Sequence, residues 1–162
     1  SGADAYDDIV LAASYFTQNR IGALIAIERE VSLRPYVESG ITLDAEVSYD
    51  LLVSVFHPAS PLHDGAVIVR KNRVVAAACF LPLSLNPLLS TQLGSRHRAA
   101  IGLTEESDAL CVVVSEQTGN IALMSGGTVE LNLTPEQLRE RLRALLRRRP
   151  PVLRPPFTAR VS

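Results

Sequence analysis

Tryptophan is absent from this chain of 162 residues, and aromatic residues make up only 5% of it. The formal net charge is −1, so bulk charge gives no reason to expect a nucleic-acid partner. No apolar run reaches the roughly 20 residues that a membrane helix needs, and no secretory signal is visible. Because 47% of the residues are apolar and the length fits one domain, we expect a globular domain with a sizeable core.

Cysteine is also scarce. Cys79 and Cys111 each lie inside an apolar run typical of a strand. This placement predicts buried thiols in a reducing compartment, and it argues against a disulfide framework or a metal site. Ser1-Gly2 is expected to be the remnant of an affinity tag, so the natural protein is expected to extend further upstream. The lack of a membrane segment here therefore says little about the parent protein.

Positive charge is unevenly distributed. Eight arginines lie from Arg139 onwards, half of the 16 basic residues, and only Glu140 opposes them there. Such a segment is suited to bind nucleic acid or an anionic membrane surface. Positive charge near a helix C-terminus is already favourable, however, so this hypothesis is the weaker one.

Hydrophobic periodicity predicts alternating helices and strands. Helices are predicted over 5–19, 49–56, 96–103 and from 135 onwards, and strands over 22–27, 66–69, 74–81, 109–114, 121–124 and 128–131. A polar break at 70–73 predicts a hairpin, and 109–114 reads as a central strand. Residues 34–48 are expected to be a loop or a short helical turn. The fold class is therefore α/β with an α+β character: a single domain with a central mixed sheet flanked by helices.

The last helix has the clearest boundary. Thr134 is suited to cap it, Pro135 suits its first position, and Gln137 completes a capping box. Residues 150–162 carry four prolines and little apolar pattern. We expect one domain over 1–149, followed by a proline-rich tail that is surface-bound or disordered.

Three polar groups interrupt the apolar pattern at the ends of predicted elements. Gly94-Ser95-Arg96-His97-Arg98 opens a helix, where free N–H groups make an anion site. Arginines in a first turn oppose the helix dipole, a cost that makes sense if a phosphate is the partner. Ser95 is suited to act as cap or as ligand. A capped helix with solvated arginines explains this group equally simply.

The other two groups add carboxylates. Asp64 in His63-Asp64-Gly65-Ala66 is suited to hold a ribose hydroxyl, to bind a metal or to accept a proton, while His63 is a metal or hydrogen-bond candidate. Gly65 permits close approach of a ligand or of backbone. An Asx turn is the simpler alternative for Asp64. Glu116 in Ser115-Glu116-Gln117 follows an apolar strand, where a carboxylate is suited to bind a metal or to position a cation. The alternative is that these residues form an ordinary polar turn.

An aromatic residue lies next to these groups. Phe80 is suited to stack on a base, although its pattern alone favours a core position. Hydrogen-bond donors for phosphate, two carboxylates and an aromatic side chain for stacking are together the parts of a nucleotide site that uses a divalent metal. No Walker-type or dinucleotide glycine motif is present, so the common nucleotide folds are disfavoured.

Two motifs carry a family resemblance. Leu62-His63-Asp64-Gly65-Ala66-Val67-Ile68 and Gly94-Ser95-Arg96-His97-Arg98-Ala99-Ala100 resemble the Asp-Gly-Ala and Arg-His-Arg motifs of diadenylate cyclase domains. The likeness runs from about Ile21 to Ser125, and within it the chain is similar to the membrane-linked bacterial CdaA type. It implies that two ATP condense into cyclic di-AMP and two pyrophosphates, with Mn²⁺, Mg²⁺ or Co²⁺. The alternative is a nucleotide-binding sensor or scaffold without catalysis.

The resemblance also implies an assembly. Two domains would meet face to face as a homodimer, each holding one ATP, and no nucleic acid is expected. The parent protein would sit at the bacterial cell membrane through N-terminal segments absent from this chain. Its catalytic domain would be cytoplasmic, and the chain itself is expected to be soluble.

Residue roles follow from the resemblance alone. Asp64, Arg96 and His97 would be catalytic. ATP would contact Asp64, Gly65, Ala66, Phe80, Leu81, Ser95, Arg96, His97, Arg98, Ser115 and Glu116. His63, Asp64 and Glu116 are the metal candidates. The family usually has Thr at Ser95, often Tyr at Phe80, and a second Glu at Gln117, so this chain has one negative charge fewer near the expected metal.

Overall fold

The computed structural model describes residues 2–87, 89 and 93–147. In these ranges it contains five helices and seven strands. The helices are α1 (Gly2–Asn19), α2 (Arg34–Val37), α3 (Tyr49–Phe56), α4 (Ser95–Glu106) and α5 (Pro135–Arg147). The strands are β1 (Ala23–Ile27), β2 (Ile41–Glu46), β3 (Ala66–Arg70), β4 (Arg73–Cys79), β5 (Leu110–Val114), β6 (Ile121–Ser125) and β7 (Thr128–Leu133).

The strands form one mixed sheet in the order β2-β4-β3-β1-β5-β6-β7. Only β1 and β3 run parallel, and every other neighbouring pair is antiparallel. The predicted hairpin is β3-β4, which closes at Arg70 and Arg73. The predicted central strand is β5, whose five residues are all buried. The expected fold class, a single domain with a mixed sheet flanked by helices, is confirmed.

Helices cover both faces of the sheet. One apolar cluster joins α1, α3 and α5 to residues such as Ile25 and Val112, and the other joins α4 to their neighbours Leu24 and Val113. Alternate residues of a strand point to opposite faces, so a strand covered on both sides is apolar at every position. This explains why β1 and β5 read as continuous apolar runs.

One prediction about the fold was wrong in part. Residues 34–48 were expected to be a loop or a short helical turn; α2 is that turn, but β2 follows it at the sheet edge and pairs with β4. The strand is largely exposed, and its register shifts between Thr42 and Ala45, where Asp44 has a φ of 48°. Apolar and polar residues do alternate along β2, but the polar residues, Pro35 and Gly40 in this segment favoured a loop instead.

The predicted start of α5 is confirmed. The side-chain oxygen of Gln137 accepts from the Thr134 N–H at 2.9 Å, and the Thr134 hydroxyl accepts from the Gln137 N–H at 3.1 Å. Leucines bind α5 to α1. Arg141 pairs with Glu130, and Arg139 and Arg143 both approach Asp7. Three of the eight arginines are therefore partnered within the domain. The predicted tail at 150–162 lies outside the described residues.

Two other expectations concern burial and the membrane. Cys79 and Cys111 are free, buried thiols, as predicted, and burial raises their pKa values to about 11 and about 12. In the described part of the chain, no helix combines the length and apolar character required to cross a membrane.

Candidate active site

The sheet topology brings all the predicted polar groups to one end. Ala23 pairs with Val114, Ile25 with Val67, and Ala66 with Cys79. The starts of β1 and β3 therefore lie beside the ends of β4 and β5. Because His63-Asp64-Gly65 precedes β3, Phe80-Leu81 follows β4 and Ser115-Glu116-Gln117 follows β5, these three segments share one rim of the sheet.

The amino end of α4 completes this rim. A pocket of about 380 Å³ is lined by Leu93, Gly94, Ser95, Arg96, His97, Ser115, Glu116 and Gln117. Gly94 is the N-cap residue, and no side chain of the described residues caps the helix, so Ser95 is the first helical residue and not the cap. Free N–H groups at a helix start, together with the dipole, favour an anion.

Arg96 is held across the pocket wall. Its Nη1 lies 3.5 Å from Oε1 of Glu116, and the two side chains are 22% and 62% exposed. Its guanidinium also lies against Gly22, immediately before β1. The carboxylate offsets the unfavourable position of a cation in the first turn of α4. Arg96 therefore joins α4, β1 and the turn after β5.

His97 is partly buried beside Arg96. Burial, and secondarily the charge of Arg96, lower the pKa of the His97 imidazole. The ring is therefore neutral at pH 7, with one nitrogen that donates and one that accepts a hydrogen bond. A neutral ring is suited to hydrogen-bond a phosphate or to help transfer a proton.

Ser115 shapes the turn after β5. Its hydroxyl oxygen accepts from the N–H groups of Gln117 and Thr118, both at 3.2 Å. Arg20 donates to the Gln117 carbonyl at 3.3 Å, which ties the turn to the end of α1. The Ser115 hydroxyl proton is still available for an acceptor in the pocket.

The segment before β3 combines a fixed histidine with an exposed carboxylate. His63 Nδ1 lies 2.7 Å from the Ser60 carbonyl oxygen, which can only accept, so Nδ1 carries the proton and Nε2 is left as the ligand atom. Asp64 is exposed. Gly65 has a φ of 105°, and a Cβ there would lie 2.9 Å from backbone atoms of Ala78 and Cys79. The close approach at this glycine is thus to the backbone of β4.

Phe80 contradicts the core position that its pattern favoured, because its side chain is 71% exposed. Its N–H donates to the Ser39 hydroxyl at 2.9 Å. The loop then crosses α4, where the Ser84 N–H donates to the Arg98 carbonyl at 3.0 Å. Leu81 is partly buried against α4 and its neighbours, whereas Ala66 is fully buried in β3.

The metal candidates do not form a preformed protein cage. Among the described residues, no group of three or more His, Cys, Asp or Glu side chains could hold a metal ion. Asp64 and His63 adjoin in sequence, and Glu116 is engaged with Arg96. One or two carboxylates with substrate phosphates are a usual way to bind Mg²⁺, and this donor set fits that arrangement.

Sequence reasoning missed the role of two glycines. Gly22 makes room for Arg96, and Gly102 makes room for the backbone of Pro82. Hydrophobic periodicity does not identify them, since a glycine inside a helix or before a strand only weakens the prediction of that element. Leu93 and Gly94 also line the pocket and were not assigned to it.

Comparison with known proteins gives consistent results. Residues 10–129 match the model of the family described as DAC, the DisA bacterial checkpoint controller nucleotide-binding domain. The cyclic di-AMP synthase CdaA of Bacillus subtilis is 48% identical over 136 residues, which cover 84% of this chain and 50% of that protein. A diadenylate cyclase of Listeria monocytogenes is 46% identical over 132 residues, covering 82% and 48%. The chain spans about half the length of these curated relatives.

Solved structures show the same similarity. A double mutant of DacA from Staphylococcus aureus superposes with a TM-score of 0.85 at 43% identity, covering 87% of this chain and 94% of that one. A hypothetical membrane spanning protein from Bacillus cereus gives a TM-score of 0.76 at 43% identity, covering 78% and 62%. By its sequence, its fold and its two motifs, this chain belongs to the DAC family of diadenylate cyclase domains.

Proposed function

We propose that this chain is the catalytic domain of a diadenylate cyclase, which condenses two ATP into cyclic di-AMP and releases two pyrophosphates. The observation that carries the proposal is the pocket between the uncapped start of α4 and the end of β5, on the rim that also bears Asp64. Phosphoryl transfer needs mainly positioning and neutralised phosphate charge, and this rim offers both. The relatives named above support the same reaction.

In the proposed reaction, each 3′-hydroxyl oxygen attacks the α-phosphorus of the other ATP. The bond from that phosphorus to the oxygen bridging to the β-phosphate breaks, and pyrophosphate leaves. Asp64 accepts the hydroxyl proton, for which an exposed carboxylate is suited. The start of α4, with Ser95, Arg96, His97 and Arg98, holds the phosphates, and Ser115 donates to them.

The base would lie on the strand end next to Asp64. An exposed Phe80 offers a stacking surface, and the backbone of Leu81 offers groups that recognise the adenine edge. The backbone at Gly65 and Ala66 would lie against the nucleotide.

A divalent cation such as Mn²⁺ or Mg²⁺ would be held by Asp64 and the phosphates, with His63 and Glu116 as further candidates. When bound, it supplies neutralisation of the phosphate charge. Gln117 follows Glu116 on the pocket wall and leaves one carboxylate there, so affinity for the metal should depend strongly on the nucleotide.

The reaction joins two nucleotides, and the rim is suited to hold one. Asp64, Phe80, Ser95 and Glu116 are all exposed, which leaves this surface open to a second copy presenting the same surface. We therefore propose a face-to-face homodimer as the active form. If pairing is transient, specific activity rises with protein concentration. We further propose that the parent protein is membrane-linked through segments outside this chain.

The test is to incubate the chain with ATP and Mn²⁺ and to identify products by anion-exchange chromatography with mass detection. Cyclic di-AMP and pyrophosphate are expected from the wild type and from Ser54→Ala, an exposed change on α3. Asp64→Asn should bind ATP yet form little product. ATP bound but unconverted by the wild type, at every protein concentration, would contradict catalysis and favour a nucleotide-binding sensor or scaffold.

A further inference from the structure

Gly22 lies where the phosphate site meets the sheet. It is buried and directly precedes β1. Since Ala23 pairs with Val114 in antiparallel register, Gly22 lies opposite Ser115, the first residue of the turn on the pocket wall. Nothing about this position requires glycine for backbone reasons, because its φ is outside the left-handed region. The requirement must come from its surroundings.

Those surroundings are the guanidinium of Arg96. A Cβ on Gly22 would lie 2.5 Å from Cζ and from Nη1 of Arg96, and 2.8 Å from Nη2. The terminal nitrogens are no nearer than Cζ, so a face of the planar group, and not its edge, covers the α-carbon. A carbon atom needs roughly 3.5–4.0 Å from such neighbours, so any side chain at 22 would displace the guanidinium.

The polar contacts of Arg96 hold its orientation only weakly. Within the described residues, its Nε is buried and has no hydrogen-bond partner. Its ion pair with Glu116 is 3.5 Å long, and that carboxylate is mostly exposed. Close packing against Gly22 is thus a contact that can set where the two terminal nitrogens point.

We propose that Gly22 is a positioning residue for the phosphate site, which acts by seating the Arg96 guanidinium flat on the start of β1. The inference rests on the proposed function, since it assigns Arg96 to the phosphates. With any side chain at 22, Arg96 would shift outwards into the pocket, and its nitrogens would lose alignment with a bound triphosphate. Arginine recognises phosphate through fixed geometry, so misalignment weakens binding even though the charge is kept.

The first experiment is Gly22→Ala with ATP binding measured by calorimetry. Loss of aligned charge-assisted hydrogen bonds should weaken ATP binding about 10-fold to 100-fold. The melting temperature should stay near that of wild type, because the atoms that must move are the end of a flexible side chain. Equal ATP affinity in Gly22→Ala and wild type would overturn the proposal, whatever the activity of either protein.

The decisive control is a double-mutant cycle with Arg96→Ala. If Gly22 acts through Arg96, adding Gly22→Ala to Arg96→Ala causes no further loss of ATP affinity. Should Gly22→Ala alone lower the melting temperature, removal of Arg96 should restore it, since the clash would be gone. Equal losses of affinity or stability with and without Arg96 would show that the methyl group acts elsewhere and would refute the proposal.

These readings separate the inference from the proposed reaction. Wild-type protein that binds ATP but makes no cyclic di-AMP would contradict the reaction, while the cycle would still report on Gly22. If wild type and Gly22→Ala make cyclic di-AMP equally well and bind ATP with equal affinity, only the proposed role of Gly22 is refuted.

Discussion

Gly102 offers the sharpest test of how the site is assembled. A Cβ at this position in α4 would lie 1.9 Å from the Pro82 carbonyl oxygen and 2.9 Å from the Ser84 nitrogen. Both are backbone atoms of the loop that follows Phe80, so neither can rotate away. Gly102→Ala must therefore push the loop from α4 and stretch the hydrogen bond from the Ser84 N–H to the Arg98 carbonyl.

Two effects oppose each other in this variant. Alanine gains about 1 kcal/mol over glycine within a helix. Overpacking costs about 1–3 kcal/mol, towards the upper end for backbone contacts, and the weakened hydrogen bond costs about 1 kcal/mol more. The net loss is about 3 kcal/mol, equivalent to a fall in melting temperature of about 6–12 °C for a domain of this size.

The assay is denaturant unfolding followed by circular dichroism, with ATP affinity measured in parallel. ATP affinity should also fall, because the loop that carries Phe80 and Leu81 would move relative to the start of α4. The control is Ser54→Ala on an exposed face of α3, which should change stability little. A Gly102→Ala protein as stable as wild type would refute the close packing of the loop on α4.

Three further predictions follow from individual side chains. Asp108 is buried and accepts from the Glu30 and Val31 N–H groups, both at 3.0 Å, so Asp108→Ala should cost about 2–4 kcal/mol of unfolding free energy; an unchanged denaturation midpoint would contradict this. The pKa of His97 is lower in the folded chain, so the unfolded chain binds more protons below about pH 6.5. The free energy of unfolding therefore decreases as the pH is lowered. His97→Gln should lessen that fall between about pH 7 and pH 5, whereas equal slopes would contradict the assignment. Asp64 is exposed, so Asp64→Asn should lower cyclic di-AMP formation about 100-fold or more at unchanged melting temperature; full activity would remove it from the catalytic role.

Elements with a strong local signal were predictable. The capping box at Thr134 and Gln137 depends on neighbours three residues apart, and the structure contains both of its hydrogen bonds. The apolar runs of β1 and β5 reflect helices on both faces of the sheet, a condition visible in the residues themselves. The exposed edge strand β2 carries only a six-residue alternation of apolar and polar side chains, and it was missed because Pro35 and Gly40 in the same segment favoured a loop.

The site shows the same division. Polar groups at the ends of elements could be recognised from the sequence, because such groups interrupt apolar patterns. Their convergence on one nucleotide site was expected from the residue types and the family resemblance, but its geometry was not, since it follows from the parallel pairing of β1 with β3 and the antiparallel pairing of β1 with β5. The contacts of Gly22 with Arg96 and of Gly102 with Pro82 join residues far apart in the chain, and only the folded structure reveals them.

The central claim is that the domain joins two ATP molecules, and a mixed-isotope reaction tests it most directly. Wild-type protein is incubated with Mn²⁺ and equal amounts of ordinary ATP and ATP labelled throughout its adenosine, and the products are weighed by mass spectrometry. We expect cyclic di-AMP in three masses, with the mixed species the most abundant, and pyrophosphate released in step with it. No cyclic dinucleotide of any mass, from protein that binds ATP, would contradict the account.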